Sequence, residues 1–306
     1  MLKDEQPSSG RRALARILRW GFYLLFSYGW LGCVFWLFLR QITASLVVGV
    51  IGSVTLYGLA RGLDGRAFRR PRRPLLTHVV GIMLFIALQA IAWRFLYFFA
   101  DPERQVPSEA TLVSPADGWI VYVRRVEGGK APVAIKEGRS IELSELLGRS
   151  PTRIQGGILV GVFMTPMSVH VNRAPIAGRI AWRHYVRGRP MTSMLPMSLR
   201  LMFGQRPYER GSEHIVRNER ETLLFEGRFP VYMTRIADPY VDKIELWKPV
   251  GAKVAKGERI GLIRMGSQTD LYVPATVGDQ RVEVLVREGQ YVFGGSTPIL
   301  RLIDPR

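Results

Sequence analysis

The chain has 306 residues, a formal net charge of +18, one cysteine and four histidines. The single Cys33 excludes a disulfide framework and a cysteine-based metal centre, and His78, His170, His184 and His214 are too scattered for a zinc motif, so no metal is expected. A balance this basic suits nucleic acid or an anionic membrane surface. No nucleic-acid-binding fingerprint occurs, so no nucleic acid is expected, and long apolar runs favour the membrane.

Met1 to Arg19 is polar and basic, and Trp20 to Leu39 is an uncharged run long enough to cross a bilayer and too long for the core of a signal peptide. After Arg40-Gln41 comes a second uncharged run, Ile42 to Ala60. A basic loop follows, with Arg61, Arg66, Arg69, Arg70, Arg72 and Arg73. The positive-inside rule places this loop and the N-terminus in the cytoplasm, which makes the first two segments a hairpin. Leu75 to Phe99 is a third apolar run, interrupted by Arg94; it suits either a full span or an interfacial helix. Residues 1–100 are therefore expected to form a membrane anchor of two or three hydrophobic helices.

From Asp101 the pattern changes to short alternating segments separated by turn residues. Trp119 to Val123, Ile158 to Met164, Arg179 to Tyr185, Phe229 to Ile236, Arg281 to Val286 and Pro298 to Leu302 read as strands. Glu142 to Leu147 and Thr192 to Phe203 read as helices. Residues 101–306 are thus expected to be a mostly β (α+β) soluble domain. The turn, strand, Gly-turn, strand cadence of Trp247 to Ile263 returns at Val286 to Gly295 and resembles the barrel-sandwich fold of biotinyl and lipoyl carriers. No Met-Lys-Met or Asp-Lys-Ala tip of the kind those carriers modify occurs. A membrane-anchored adaptor of that architecture, without catalysis, is one reading of the chain.

Three short stretches carry the possibility of chemistry. In Ser114-Pro115-Ala116-Asp117-Gly118, Asp117 lies in a turn ahead of a strand, where an Asx turn is the ordinary meaning. His170 stands between Val169 and Val171, so on a strand it faces away from both. Gly266-Ser267 interrupts two strand-like runs; it suits a tight turn, or a nucleophilic hydroxyl beside an accessible carbonyl. Together Asp117, His170 and Ser267 supply the orienter, base and nucleophile of a serine triad. No G-x-S-x-G elbow occurs, which argues against an ordinary α/β-hydrolase.

Five motifs share an order with a known family. They are Tyr97-Phe98-Phe99-Ala100-Asp101-Pro102-Glu103-Arg104, Ser114 to Gly118, Val169-His170-Val171-Asn172-Arg173-Ala174-Pro175, Arg217-Asn218-Glu219-Arg220, and Gly257 to Arg264 leading into Gly266-Ser267. From Tyr97 to the C-terminus the chain resembles the short bacterial and archaeal type of phosphatidylserine decarboxylase. The resemblance implies a membrane-bound proenzyme that cuts itself at Gly266-Ser267, with Ser267 attacking the Gly266 carbonyl, His170 as base and Asp117 orienting it. A pyruvoyl group formed from Ser267 would be the cofactor. A β chain ending at residue 266 and an α chain of residues 267–306 would form a heterodimer, converting phosphatidylserine in the membrane to phosphatidylethanolamine and CO2. It further implies location at the cell (inner) membrane with the catalytic domain on the cytoplasmic side. A related serine phospholipid of archaeal type is an alternative substrate.

Three features depart from the family pattern. Arg173 stands where the longer family type has a second histidine, and is expected to contact phosphate or carboxylate. Gln268-Thr269 follow the Gly-Ser step in place of a basic and an apolar residue. The apolar pair Trp20 to Ala60 is additional. Gly294-Gly295-Ser296-Thr297 resembles the cleavage site of the longer type. Cutting there would release little more than one strand, so Ser267 is the expected site.

Overall fold

The computed structural model describes residues 101–304, apart from 109–110, 137–138, 149–155, 166–167, 189–190, 240–243 and 264–266. The expected helical anchor, residues 1–100, lies outside the described residues. Among the described residues no helix is long and apolar enough to cross a membrane.

The described part is mostly β, with sheets curled into half-barrels. Its strands are β1 (Thr111–Val113), β2 (Gly118–Val126), β3 (Lys130–Lys136), β4 (Arg139–Glu142), β5 (Gly157–Met164), β6 (Val171–Arg173), β7 (Gly178–Val186), β8 (Arg220–Gly227), β9 (Pro230–Ala237), β10 (Ile244–Leu246), β11 (Lys253–Val254), β12 (Arg259–Ile263), β13 (Ser267–Pro274), β14 (Thr276–Val277), β15 (Gln280–Val284), β16 (Tyr291–Val292) and β17 (Pro298–Ile303). Three short helices join them: α1 (Leu143–Leu147), α2 (Leu195–Met202) and α3 (His214–Arg217). The six runs read as strands from alternation coincide, within three residues at their ends, with β2, β5, β7, β9, β15 and β17. The two expected helices contain α1 and α2.

The main sheet runs β11-β7-β8-β9-β13-β5-β2-β16, antiparallel throughout, with β13 between β9 and β5. One face packs Trp119, Tyr122, Phe163, Tyr232 and Tyr272 together, and the other packs Val160, Val162, Met233, Leu271 and Val273. A strand buried on both faces needs no polar alternation. Bulges let single strands serve both cores. The register of β2 on β5 shifts between Ile120 and Tyr122, which turns Val121 and Tyr122 to the same face. The ring of Tyr122 then lies across Gly161, where a Cβ would come within 2.6 Å of it, and its hydroxyl reaches Asp270 on β13 at 2.6 Å.

A smaller sheet, β10-β12-β6, is tied to the main one by Arg235 of β9. Arg235 and Glu221 face each other on β9 and β8 and form an ion pair with neither side chain exposed. Arg235 also donates to the Glu245 carbonyl on β10 at 2.8 Å and reaches Asn172 Oδ1 on β6 at 3.4 Å. Burial pulls its pKa down from the usual guanidinium value and Glu221 opposes this. A buried pair is costly to break because one charge stays behind in the interior. Arg235→Ala is therefore expected to lower the unfolding free energy by about 3–5 kcal/mol, read from urea denaturation. Arg183→Ala, which removes the half-exposed partner of Glu221 on β7, should cost about 1 kcal/mol or less. Equal losses for the two variants would refute this account of the docking.

Candidate active site

Ser267 is the first residue of β13, directly opposite Met164 at the end of β5 and Ala237 at the end of β9. It is fully buried, and its Oγ lies 3.7 Å from Met164 Sδ. Gly266 lies outside the described residues. The chain reaches Ser267 from β12, whose last residue, Ile263, donates its N–H to the His170 carbonyl at 3.3 Å. His170 in turn ends the loop that leaves β5 at Met164. The loop carrying His170 and the segment entering Ser267 are thus joined at both ends, by the Ser267–Met164 pairing and by the Ile263–His170 bond.

The imidazole of His170 is fully buried. Its Nδ1 lies 2.6 Å from the Ser168 carbonyl. A carbonyl only accepts, so Nδ1 carries the proton and Nε2 carries the lone pair. Ser168 is held by a local turn, its N–H bonding the Thr165 carbonyl at 2.8 Å and its Oγ accepting from the Thr165 N–H at 3.2 Å. Burial pushes the imidazole pKa down to about 3 against the opposing effect of the Ser168 carbonyl, so the ring is a neutral base.

Asp117 lies at the same end of the main sheet, just ahead of β2, where Trp119 pairs with Phe163 of β5. The sequence reading gave Asp117 the task of orienting His170. In the structure Nδ1 is held by Ser168, and the Asp117 carboxylate accepts from Arg104 Nη2 and from the Gly294 N–H, each at 2.7 Å. Burial pushes the Asp117 carboxyl up to about 6, with Arg104 the strongest opposing influence. Residues flanking the three candidates form one apolar cluster: Ala116, Met164, Ala237, Ile244 and Ile263, with Met191 packed against it.

The contact with Asp117 also accounts for Gly294-Gly295-Ser296. A Cβ on Gly294 would sit 3.1 Å from the Ala116 backbone, and Gly295 has a φ of 78° with a Cβ site 2.6 Å from Arg173 Cδ. Gly295 needs glycine to close a turn over Asp117, and a side chain at Gly294 would crowd the Ala116 backbone.

Arg173 does contact a carboxylate, but one of this chain. Its Nη2 donates to Asp101 at 2.7 Å and to the Pro102 carbonyl at 3.0 Å, and its Nη1 to the Gly257 carbonyl at 3.1 Å. Asp101 and Glu103 also bind Arg259. The Asp-Pro-Glu-Arg run is therefore a strap laid over the site, with Asp101 on β6 and β12 and Arg104 on Asp117.

Sequence reasoning missed a buried polar group on the opposite face of β13. Gln268 Nε2 donates to Tyr122 Oη and to Asp270 Oδ1, both at 2.8 Å, and Gln268 Oε1 lies 3.1 Å from His214 Nε2. Burial raises Asp270 to about 7 and lowers His214 to about 4. The available signal was Ser267-Gln268-Thr269-Asp270 itself, four polar residues in a strand buried along almost all its length. Among the described residues no three His, Cys, Asp or Glu side chains converge as metal ligands.

This site lies within a stretch that matches known proteins. A family model described as phosphatidylserine decarboxylase matches residues 91–300. The phosphatidylserine decarboxylase proenzyme of Gluconobacter oxydans is 34% identical over 248 residues, covering 81% of this chain and 90% of that protein. The one of Symbiobacterium thermophilum is 32% identical over 218 residues, covering 70% of this chain and 82% of that protein. A provisionally named archaetidylserine decarboxylase proenzyme of Methanopyrus kandleri is 35% identical over 232 residues, covering 75% and 88%. With a match over more than half its length and relatives aligned over most of theirs, the chain belongs to the phosphatidylserine decarboxylase family.

Proposed function

We propose that the chain is a proenzyme that cuts itself between Gly266 and Ser267, and that the mature enzyme decarboxylates phosphatidylserine to phosphatidylethanolamine in phospholipid biosynthesis. The observation that carries this is the seat of Ser267. It is a buried hydroxyl at the head of the central strand, with a neutral histidine on the loop tied to both sides of it.

In this reading His170 Nε2 takes the Ser267 Oγ proton as the oxygen attacks the Gly266 carbonyl. The peptide becomes an ester. Loss of the Ser267 Cα proton expels the Gly266 carboxylate, and hydrolysis of the resulting dehydroalanine releases ammonia and leaves a pyruvoyl group at the new N-terminus. The surroundings fit such a group, because Ser267 is fully buried beside the Met164 sulfur and an apolar cluster that keeps bulk water away. When present, the pyruvoyl group would supply a carbonyl for the substrate amine and an electron sink for the decarboxylation. His170 holds or returns the proton at Nε2. The Ser168 carbonyl orients the imidazole. Asp117 positions the site by clamping Arg104 and the Gly294 turn, and Arg173 secures the strap.

The α chain of residues 267–306 stays with the β chain as a heterodimer, since β13 is hydrogen-bonded on both edges. The apolar runs of residues 1–100 anchor the enzyme at the cell (inner) membrane, and the positive-inside rule favours the cytoplasmic side for the catalytic domain. Protease digestion of right-side-out vesicles should leave that domain intact. Relatives named for archaetidylserine as well as phosphatidylserine favour a second reading, in which the same site acts on a serine phospholipid with different tails.

A denaturing gel of the purified protein is expected to show two chains, the smaller of about 4 kDa for residues 267–306. Ser267→Ala should leave one chain of 34.7 kDa with no decarboxylase activity. A persistently single wild-type chain would instead favour the non-catalytic adaptor. His170→Ala should also block cutting, by about a hundredfold or more in rate.

Acid stability tests the state of His170. The folded imidazole sits at about 3 against an ordinary 6.5, so the unfolded chain binds the extra proton between those values. The stability associated with neutral His170 is present above pH 6.5 and is lost as the pH falls through that window, by about 1.4 kcal/mol per pH unit. In the uncut Ser267→Ala background, adding His170→Gln should remove this part of the acid sensitivity. Parallel stability curves for the two proteins from neutral pH to pH 4 would contradict a buried neutral imidazole.

A further inference from the structure

The domain carries an apolar stripe that its own core does not use. Helix α2 buries Met197 and Leu201 on one side. On the other it exposes Leu195 (58%) and Leu199 (40%), and Phe203 (64%) follows at the same spacing. Positions four apart share a helix face, so the three side chains form one ridge. The sequence favours this helix. Pro196 stands in its first turn, the Ser193 hydroxyl accepts the Leu195 N–H at 3.1 Å, and Gly204 follows the end with a φ of 67°.

The segment that carries the ridge is strongly basic. Between Val186 and Ser212 the chain carries Arg187, Arg189, Arg200, Arg206 and Arg210, and its only acid is Glu209. Glu209 is fully buried and paired with Arg124. An apolar ridge carried by so arginine-rich a segment matches an anionic lipid surface: tails for the ridge, phosphates for guanidinium groups.

The ridge is also wired to the reaction centre. Met191, just ahead of α2, packs against the apolar cluster around Ser267. The Thr192 N–H donates to Asn218 Oδ1 at 2.7 Å, and Asn218 Nδ2 donates to the Ala237 carbonyl at 2.8 Å. Ala237 is the β9 partner of Ser267. The Met194 N–H is bound by the Asp238 carboxylate, one residue further along.

We propose that Leu195, Leu199 and Phe203 enter the outer part of an anionic bilayer, and that the Thr192–Asn218–Ala237 links hold the buried residue 267 at a set position relative to that lipid surface. The inference rests on the lipid substrate proposed above. It assigns the ridge as the point where this domain meets its substrate's membrane.

The test uses the full chain in nanodiscs of phosphatidylcholine and phosphatidylglycerol. With Cys33→Ser, an environment-sensitive dye is placed on Leu199→Cys or, at the far end of the domain beyond β13, on Asp304→Cys. The Leu199 dye is expected to shift to the blue and to be quenched by spin-labelled lipid tails, and the Asp304 dye to do neither. A blue shift without lipid quenching would mean that protein covers the ridge, either residues 1–100 or a second copy, and would overturn the proposal.

The variant Leu195→Glu/Leu199→Glu/Phe203→Glu should cut itself normally. It should turn over monomeric short-chain phosphatidylserine like the wild type and lose about tenfold on phosphatidylserine vesicles. Equal loss on both substrates, or on neither, would overturn the lipid-docking role. If the wild type neither cuts itself nor acts on the short-chain lipid, the decarboxylase reading fails instead. The dye experiment still decides whether the ridge meets lipid.

Discussion

The arrangement of the site depends on the register of β13. Pairing Ser267 with Met164 on one edge and Ala237 on the other puts the head of the strand level with the ends of β5 and β9. A slip of one residue would exchange the two faces, moving Gln268 and Asp270 into the apolar layer and Ser267 into the aromatic one. The slip is opposed from both sides. Tyr122 reaches across Gly161 to Asp270, and Gln268 ties the same group to His214. These buried polar contacts are costly if left unmade, so they specify one register more sharply than apolar packing alone would.

The same economy of burial governs the charges. His170 is kept neutral because burial strips its water, and the carbonyl that orients it favours the charged form too weakly to offset that loss. Asp117 is buried nearby but kept beside Arg104. The strap from Asp101 to Arg104 thus does two things. It neutralises the cationic groups of β6 and β12, and it brings a guanidinium to Asp117, a carboxylate that would otherwise be desolvated without a cation beside it. The Asp-Pro-Glu-Arg motif and the Ser-Pro-Ala-Asp-Gly motif are separate in sequence but form a single contact in space.

Much of this was legible in the sequence, and the rest was hidden for identifiable reasons. Strands with one apolar face, such as β7, or with a nearly continuous apolar run, such as β5, announce themselves. β8 did not, because Arg220 and Glu221 at its start look like surface charges; Glu221 is fully buried by its pairing with Arg235, a residue 14 positions away. Asp117, His170 and Ser267 were identifiable as residues, and the structure brings all three to one end of the main sheet. Their partners were not readable. A carbonyl such as that of Ser168 has no signature in a sequence, and the Gly294 N–H that holds Asp117 lies 177 residues from it. The polar half of β13 was visible but looked like a departure from a motif, when its cause was a second cluster on the opposite face.

The two Gly-Ser steps show how a local pattern acquires opposite meanings from its setting. At Gly294-Gly295-Ser296 the glycines are explained by packing: one backs onto Ala116, the other lies against Arg173 with a positive φ, and the turn as a whole donates an N–H to Asp117. A cut there would sever the turn that holds the carboxylate and free only β17 with its flanks. A cut ahead of Ser267 is different in kind. β13 keeps its hydrogen bonds to both neighbours, and the released segment still supplies β14 to β17, which pair back onto β1 and β2. The new terminus would therefore stay at the head of a fixed central strand, enclosed by apolar neighbours. A fold that must survive breaking its own backbone has to place the break where the freed end is already held on both edges, and the head of β13 meets that condition.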